Sequence, residues 1–478
     1  MPAVALPSCS ERLAALVTAG SARAQALGRS VLVSVVERRR LVDPLAVLAG
    51  WANRAGADAG PRMYWALPHA GVATACVGNV VTVEPSGEDR FAAVNTAVAL
   101  LLDHAIVDGP ATVVDGVGPM FAGGFAFDPG HEPDDRWREF PAARFVLPRV
   151  QVTAAGGDGW LTASMLVDAD GVPDMDPADL ARLCDDLHTG AGPAREGAAT
   201  GVAFADERSP ERWKHLVADA VDVIRSGELD KVVLARARQC RAESPIDAHR
   251  VLWRLAAGSP DCFIFGVWQG QSAFVGASPE RLVRLDTMDV QASSLAGSAP
   301  RGATPDDDRA SSAMLASSTK DLAEHALVRE ALVTALERLC DDIAAAGVPS
   351  LFTLPHVHHL HTAVRATLHE GRTLVDLVEA LHPTPAVGGA PREAALAYIR
   401  AHESLDRGWY AAPVGWIGRG RGEFAVALRS AVVRGSDAWL FAGCGIVAGS
   451  DPAAEYEETL LKLRPMEQAI TAAQGGAG

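Results

Sequence analysis

Two spacings of apolar residues recur in the first part of the chain. Apolar and polar positions alternate with a period near two in "RSVLVSVVERR" (29–39) and "GWLTASMLVDAD" (159–170), which predicts strands. In "ERLAALVTAGSARAQAL" (11–27) and "FAAVNTAVALLLDHA" (91–105) apolar residues return every three or four positions, which predicts helices. A further strand is predicted for "ATVVDGVG" (111–118).

The second half opens with a helix whose start is well marked. Ser209 can cap the free N–H groups of the first turn, Pro210 suits the first helical position, and the apolar period ends near Gly227. The elements predicted after it are a strand at 230–242, a strand–turn–strand at 262–286, an extended stretch at 288–302, one long helix at 309–347 and a two-strand hairpin around Gly435 and Ser436.

Strands and helices are mixed throughout, and no fixed-period repeat occurs. Runs of antiparallel strands between long helices predict an α+β fold, with large antiparallel sheets layered with flanking helices. The small, Gly-rich and polar stretch at 187–201 indicates a seam, so we expect an N-terminal α/β portion at 1–200 and a catalytic C-terminal portion at 201–472. Because no long Pro- or Ser-rich linker separates them, we expect one structural domain overall.

Composition narrows the classes of function. The 478 residues are 49% hydrophobic and carry a formal net charge of -16, which argues against nucleic acid as the main partner. The most apolar run, at 91–107, is interrupted by polar residues and is too short to span a membrane. The N-terminus shows no secretory signal pattern, and seven scattered cysteines without a C-x-x-C pair are typical of reduced thiols. We therefore expect a cytoplasmic protein without a membrane partner.

The stretch "SDPAAEYEETLLKLRPM" (450–466) predicts a helix with an unusual charged face. Glu455, Glu458 and Lys462 lie at i, i+3 and i+7, so they point the same way. Asp321 and Glu324 form a second pair of acids one turn apart. A solvated helix face explains either pair alone. Two such helices that converge could also bind Mg²⁺, which prefers oxygen ligands.

Four histidines in "PHVHHLH" (355–361) raise the question of a metal site. In a strand, His356 and His358 lie on one face, and His359 and His361 on the other. We therefore do not expect all four to bind one ion.

Ten segments in fixed order identify a resemblance that covers Ala218 to Met466. The chain resembles the chorismate-utilising enzymes and, among them, the isochorismate synthases. The segments are "LDKVVLARA", "ASPERLVR", "LAGSAPRG", "KDLAEH", "HHLHT", "HPTPAVGGAPREAALAYI", "RGWYAAPVGW", "GEFAVALRSA", "FAGCGIV" and "SDPAAEYEETLLK".

The resemblance implies an Mg²⁺-dependent site for chorismate. Glu324 and Glu458 match the two glutamates that hold the ion, and Asp321 and Glu455 match positions that support it through water. The acidic faces of the two helices would then bind the metal ion.

The resemblance also implies how chorismate, a dicarboxylate, is bound. Arg429 and Lys462 match residues that reach its carboxylates, and a guanidinium can bind a carboxylate through two hydrogen bonds. Gly297 and Gly443 match glycines whose backbone N–H groups approach the substrate closely. The other positions taken as substrate-binding are His359, Ala386 and Tyr410.

The implied reaction adds water at C2 of chorismate and expels the C4 hydroxyl, which gives isochorismate reversibly. Lys231 matches the lysine that activates the water, and Glu280 matches the acid that protonates the departing hydroxyl. Isochorismate would feed menaquinone, siderophore or salicylate synthesis.

Within the family, several residues favour water as the nucleophile. The ammonia-using branches carry glutamine at the position of Lys231 and usually threonine at that of Ala386, and one of them has a nucleophilic lysine at that of Ala296. We therefore expect no glutamine amidotransferase subunit. A salicylate synthase, suggested by Tyr410, and a non-catalytic chorismate-binding paralogue remain alternatives. A dinucleotide-binding oxidoreductase is not favoured, because no G-x-G-x-x-G opens a helix.

Overall fold

The computed structural model describes residues 8–56, 60–110, 114–130, 132–187 and 200–475. The helices in these ranges are α1 (Cys9–Leu27), α2 (Pro44–Ala55), α3 (Arg90–Leu102), α4 (Pro177–Leu187), α5 (Pro210–Ser226), α6 (Ala248–Gly258), α7 (Pro305–Ser317), α8 (Thr319–Leu336), α9 (Leu374–Leu381), α10 (Arg392–His402) and α11 (Pro452–Ala473). The strands of the first half are β1 (Val31–Arg39), β2 (Arg62–Leu67), β3 (Val72–Val77), β4 (Val81–Val83), β5 (Ile106–Asp108), β6 (Met120–Phe125), β7 (Ala143–Leu147), β8 (Val150–Ala155), β9 (Asp158–Val167) and β10 (Val202–Asp206). Those of the second half are β11 (Lys231–Ala242), β12 (Phe263–Gln269), β13 (Ser272–Ser278), β14 (Arg281–Asp286), β15 (Asp289–Pro300), β16 (Cys340–Ala345), β17 (Ser350–Thr353), β18 (Val357–Leu368), β19 (Gly389–Ala390), β20 (Pro413–Gly418), β21 (Arg421–Val426), β22 (Ser430–Arg434) and β23 (Asp437–Ile446).

The strands form two large sheets. The first has thirteen strands in the order β10-β11-β23-β22-β13-β12-β2-β3-β8-β9-β1-β5, with β19 paired to β11. The second has ten in the order β16-β18-β15-β14-β21-β20-β6-β7-β4, with β17 paired to β18. Apart from the parallel contact of β1 with β5, the named strands of the described ranges pair antiparallel. This confirms the predicted α+β class with large antiparallel sheets.

The two sheets enclose the larger of two apolar cores. Phe125 and Phe145 of the second sheet lie with ring centroids 4.9 Å apart, and Phe265 and Phe274 of the first sheet 5.4 Å apart. The opposite face of the first sheet packs against α1, α2, α4, α6 and α11, which forms the second core. Because α11 lies on this sheet beside β23, it is held close to β11, the strand that begins with Lys231.

Two predicted elements were wrong. The single helix expected at 309–347 is α7, α8 and then strand β16. Ser318 ends α7 and caps α8 by accepting a hydrogen bond from the backbone N–H of Asp321, so a new helix starts there. Cys340 is buried where β16 pairs with β18, and this pairing decides the conformation of an alanine-rich stretch with little periodicity of its own.

The strand expected at 111–118 was also wrong for the residues that can be compared. Residues 111–113 lie outside the described ranges, and 114–118 are turns in which Gly116 and Gly118 have positive φ. The short strand of this region is β5, just before it. The strand–turn–strand expected at 262–286 contains one strand more than predicted, since β12, β13 and β14 all lie there. The other predicted strands and helices are confirmed, including the hairpin of β22 and β23 around Gly435 and Ser436.

The predicted seam at 187–201 lies mostly in residues 188–199, which are outside the described ranges. Strands from both sides of it share the first sheet, where β2 pairs with β12. The division at 200–201 stays a prediction. Among the described helices, none has the length and apolar character needed to cross a membrane.

Candidate active site

One cavity lies where β11 and β23 of the first sheet approach β15 and β18 of the second, with α8 and α11 beside it. All the residues selected from the sequence line it. They are Lys231, Glu280, Gly297, Asp321, Glu324, His359, Ala386, Tyr410, Arg429, Gly443, Glu455, Glu458 and Lys462. The structure therefore brings together residues that are spread over 232 positions of sequence.

Local sequence explains the acidic wall of the cavity. In α8, Asp321 stands in the first turn behind the Ser318 cap, and Glu324 follows one turn later. In α11, the Asp451 side chain accepts hydrogen bonds from two first-turn N–H groups, and Glu455 follows in the first turn. Carboxylates near a helix N-terminus are stabilised by the helix dipole. Two helix starts therefore present acids to the same space.

Lysines pair with three of these acids. Lys231 Nζ lies 2.7 Å from Glu324 Oε1, and Lys462 Nζ lies 2.6 Å from Glu458 Oε1. The third pair is Lys320 Nζ with Glu455 Oε1, at 3.2 Å. Although burial opposes ionisation of Glu324, the charge of Lys231 lowers its pKa below the ordinary value. Burial likewise opposes the charge of Lys462, but Glu458 outweighs it and raises the pKa of the ammonium. Lysine ammonium groups thus neutralise the acidic wall.

The four acids have the oxygen donors that Mg²⁺ prefers, but their side chains are not arranged around one point. Burial together with Glu458 raises the pKa of Glu455, and burial together with Glu324 raises that of Asp321, as expected for crowded carboxylates. Such a set of oxygen donors attracts a hard cation. In the described ranges, however, no three His, Cys, Asp or Glu side chains are disposed as a metal ligand group. In this arrangement the positive charge comes from lysines.

Gly445 allows the contact of Lys231 with Glu324. Lys231 begins β11 and is only 1% exposed. A Cβ added to Gly445, on the neighbouring strand β23, would lie 2.7 Å from both Glu324 Oε1 and Lys231 Cε. That distance is shorter than a van der Waals contact, so a larger residue here would displace one or both of these side chains. The sequence prediction missed Gly445, although the glycine pair in "FAGCG" could have indicated it.

Glu280 faces the cavity from the segment between β13 and β14 and is 3% exposed. Its backbone is fixed, because its N–H donates to Ser278 Oγ at 3.2 Å and its carbonyl accepts from the N–H of Val426 at 3.1 Å. Burial raises the pKa of Glu280 to about 8, even though Lys231 and Lys462 act to lower it. At neutral pH this carboxyl therefore carries a proton that it can give away.

Arg429 and His359 form the cationic wall. Arg429 Nη2 lies 3.4 Å from His359 Nε2, and Ser298 Oγ lies 3.0 Å from His359 Nδ1. Because arginine only donates, Nε2 must accept, which assigns the imidazole proton to Nδ1. Burial and the charge of Arg429 lower the pKa of His359 well below its usual value, so the ring is neutral. Arg429 has φ of +50°, a strained conformation that recurs at functional sites.

The remaining predicted residues complete the cavity wall. Gly297 has φ of +79°, and the carbonyl of Gly443 accepts a 2.9 Å hydrogen bond from Lys462 Nζ. Tyr410 stacks on Phe441 with ring centroids 5.3 Å apart. Ala386 lies in the turn that precedes β19.

A buried ion pair that reaches the cavity wall through Arg407 was also missed. Arg407 and Glu403 are both buried, and Glu403 Oε2 accepts from the N–H of Ala235 at 2.8 Å while Arg407 Nη2 donates to the carbonyl of Val233 at 2.8 Å. The pair therefore fixes the path of β11 beyond Lys231. Glu403 lies outside every segment that carries the resemblance, so no sequence signal pointed to it.

The histidines of 355–361 have separate partners. His358 contacts Asp308 and Thr353, each at 2.9 Å, whereas His359 faces the cavity.

Comparisons with known proteins extend these observations. The model of a family described as chorismate binding enzyme matches residues 17–471. The salicylate biosynthesis isochorismate synthase of Pseudomonas aeruginosa is 39% identical over 478 residues, which cover 98% of this chain and 96% of that protein. Isochorismate synthase MenF of Bacillus subtilis is 35% identical and covers 94% of this chain and 95% of its own. The solved structure of the menaquinone-specific isochorismate synthase MenF from Escherichia coli superposes with a TM-score of 0.76 at 24% identity, over 96% of this chain and 99% of that one.

Proposed function

Because the chain belongs to the chorismate binding enzyme family, we propose that it is an isochorismate synthase, an isomerase that converts chorismate to isochorismate. The observation that supports this most directly is that a candidate base, a candidate acid and a candidate carboxylate-binding group line one cavity. A buried lysine, Lys231, and a buried carboxyl that holds its proton, Glu280, line the same space as the guanidinium of Arg429.

Binding follows from the charges of the cavity. Arg429 presents a guanidinium that makes no ion pair within the described part of the chain, and His359 accepts from it without adding charge. Arg429 and Lys462 bind the carboxylates of chorismate, and the N–H groups near Gly297 and Gly443 supply further donors. A concentrated set of donors explains how an acidic protein with a net charge of -16 binds a dicarboxylate.

Glu324 and Glu458 are the residues that would hold Mg²⁺, with Asp321 and Glu455 acting through water. Bound there, the ion would offset the charge of a substrate carboxylate. The acids that would hold it are paired with Lys231, Lys462 and Lys320 in this structure, so the ion and the lysines compete for the same oxygens.

The chemical step needs a base on one side and an acid on the other. Lys231 must first leave its ion pair with Glu324 and give a proton to solvent, because only the neutral amine can act as a base. The neutral amine then takes a proton from the water that attacks C2, the ring double bond shifts, and Glu280 gives its proton to the C4 hydroxyl as that group leaves as water. One water enters and one departs, so substrate and product are isomers. After the step, Lys231 releases the proton it gained to solvent, and Glu280 takes up a proton from solvent. Both groups are then ready for the next turnover.

Incubation of the pure protein with chorismate, followed by chromatography, tests the proposal. We expect isochorismate only when Mg²⁺ is present, and no anthranilate when ammonium is added. Pyruvate and salicylate as the main products would instead favour the salicylate synthase alternative. We further propose that the enzyme works in the cytoplasm without an amidotransferase subunit. We also propose that its isochorismate is used for menaquinone or salicylate synthesis, the two pathways that the names of its relatives mention.

A further inference from the structure

The side of α11 next to its cavity-facing acids is clamped to β11. Arg236, in the middle of β11, is 3% exposed and donates from Nη1 to Thr459 Oγ1 at 3.0 Å. Its Nη2 lies 3.4 Å from Tyr456 Oη, and its guanidinium carbon lies 4.4 Å above the Tyr456 ring. One arginine therefore contacts two successive turns of the helix.

Asp206 of β10 completes the cluster. It forms an ion pair with Arg236 and accepts a 2.6 Å hydrogen bond from Tyr456 Oη. A carboxylate, a guanidinium and a phenol thus join β10, β11 and α11. Arg238 also lies within 3.5 Å of Asp206, so the carboxylate has two cationic partners, whereas the buried Arg236 has its ion pair with Asp206.

The clamp and the cavity share their supporting elements. Lys231 lies five residues before Arg236 on β11, and Tyr456 and Thr459 each directly follow a carboxylate, Glu455 or Glu458, on α11. Successive residues of a helix are about 100° apart, so holding two of them fixes the direction of their neighbours. A rotation or slide of α11 would move the acids relative to Lys231.

We propose that Arg236 is a positioning residue that sets α11 so that its acids and Lys462 face the cavity in the right place for metal and substrate. The inference rests on the proposed function. Only a guanidinium supplies donors to Thr459 and Asp206 at once while its plane covers the Tyr456 ring. Lysine keeps the charge but has no such fork, so Arg236→Lys separates positioning from electrostatics.

The experiment compares Arg236→Lys with a matched control on the same strand. Arg241 is also on β11, is 72% exposed and pairs with Asp437 of β23 at 3.2 Å, so Arg241→Lys should behave like the wild type. For each protein, Mg²⁺ binding is measured by calorimetry without substrate, kcat and KM with chorismate, and the melting temperature separately.

We expect Arg236→Lys to weaken Mg²⁺ binding by about tenfold, as for the loss of a charged hydrogen bond, and to lower kcat/KM similarly. In a Glu458→Gln background, the same substitution should change Mg²⁺ binding little further, because the α11 carboxylate proposed to hold the ion directly is already gone. A lower melting temperature with unchanged Mg²⁺ binding and unchanged kcat/KM would overturn the proposal. If Arg236→Lys does not fold, Thr459→Val and Tyr456→Phe each remove one contact, and the same readouts apply. A wild-type protein that binds Mg²⁺ but does not convert chorismate would refute the proposed function and not the positioning.

Discussion

Lys231 and Glu324 form a buried ion pair, with Nζ 2.7 Å from Oε1, although 93 positions separate them in the sequence. The proposed base for water and a proposed ligand of Mg²⁺ are therefore direct partners. Breaking a buried pair leaves the remaining charge without compensation. A substitution at either residue therefore changes the electrostatic environment of the other. Experiments on the site need to measure catalysis and metal binding separately.

Lys231→Ala should abolish isochorismate formation, because the attacking water loses its base, a loss of at least roughly 10²–10⁴-fold. Chorismate binding should stay measurable, since Arg429 and Lys462 are unchanged. Mg²⁺ binding should not weaken, because the substitution removes a competitor for Glu324. Product chromatography and calorimetry check the three outcomes, and turnover near the wild-type rate would contradict the role of base.

Glu280 predicts how the rate depends on pH. Its pKa of about 8 lies above the usual value, so the carboxyl is protonated and able to act as an acid below about pH 8. The rate of isochorismate formation should therefore fall as the pH rises through about 8. Glu280→Gln should remove this limb of the pH profile and nearly all activity while Mg²⁺ binding persists. Full activity of Glu280→Gln would show that another group protonates the leaving hydroxyl.

Two substitutions in the acidic wall should shift the Mg²⁺ requirement in opposite directions. Glu458→Gln removes a proposed ligand, so the concentration for half-maximal activity should rise by about tenfold or more. Lys320 is 43% exposed and pairs with Glu455 at 3.2 Å. Lys320→Gln removes this competing charge, so less Mg²⁺ should be needed, by a few-fold at most because exposed pairs are weak. Shifts in the same direction for both variants would rule out competition between lysine and metal.

Contacts that depend on local spacing could be predicted from the sequence, whereas contacts that depend on how distant elements pack could not. The pair of Glu458 and Lys462 follows from their i,i+4 spacing, and the structure confirms it. The pair of Lys231 and Glu324 depends on how a strand and a helix meet, and periodicity carries no such information. The break at Ser318 was missed because the apolar content continues across it and only the cap marks it. The cavity residues were found through family resemblance, which encodes tertiary contacts that local pattern does not.

Gly445→Ala should cost most of the activity without removing any reacting group. The added Cβ would lie 2.7 Å from Glu324 Oε1 and from Lys231 Cε, so both side chains must move from their present positions. Gly258, at the end of α6, has nothing within 4 Å of such a Cβ, and Gly258→Ala is the matched control. We expect kcat to fall by about 10²-fold for Gly445→Ala, as for a misplacement of about 1 Å near the chemistry, and to stay unchanged for the control. Since the reacting groups remain, chorismate binding by calorimetry should change much less than kcat. Wild-type kcat for Gly445→Ala would mean that Lys231 and Glu324 need not lie together for the reaction.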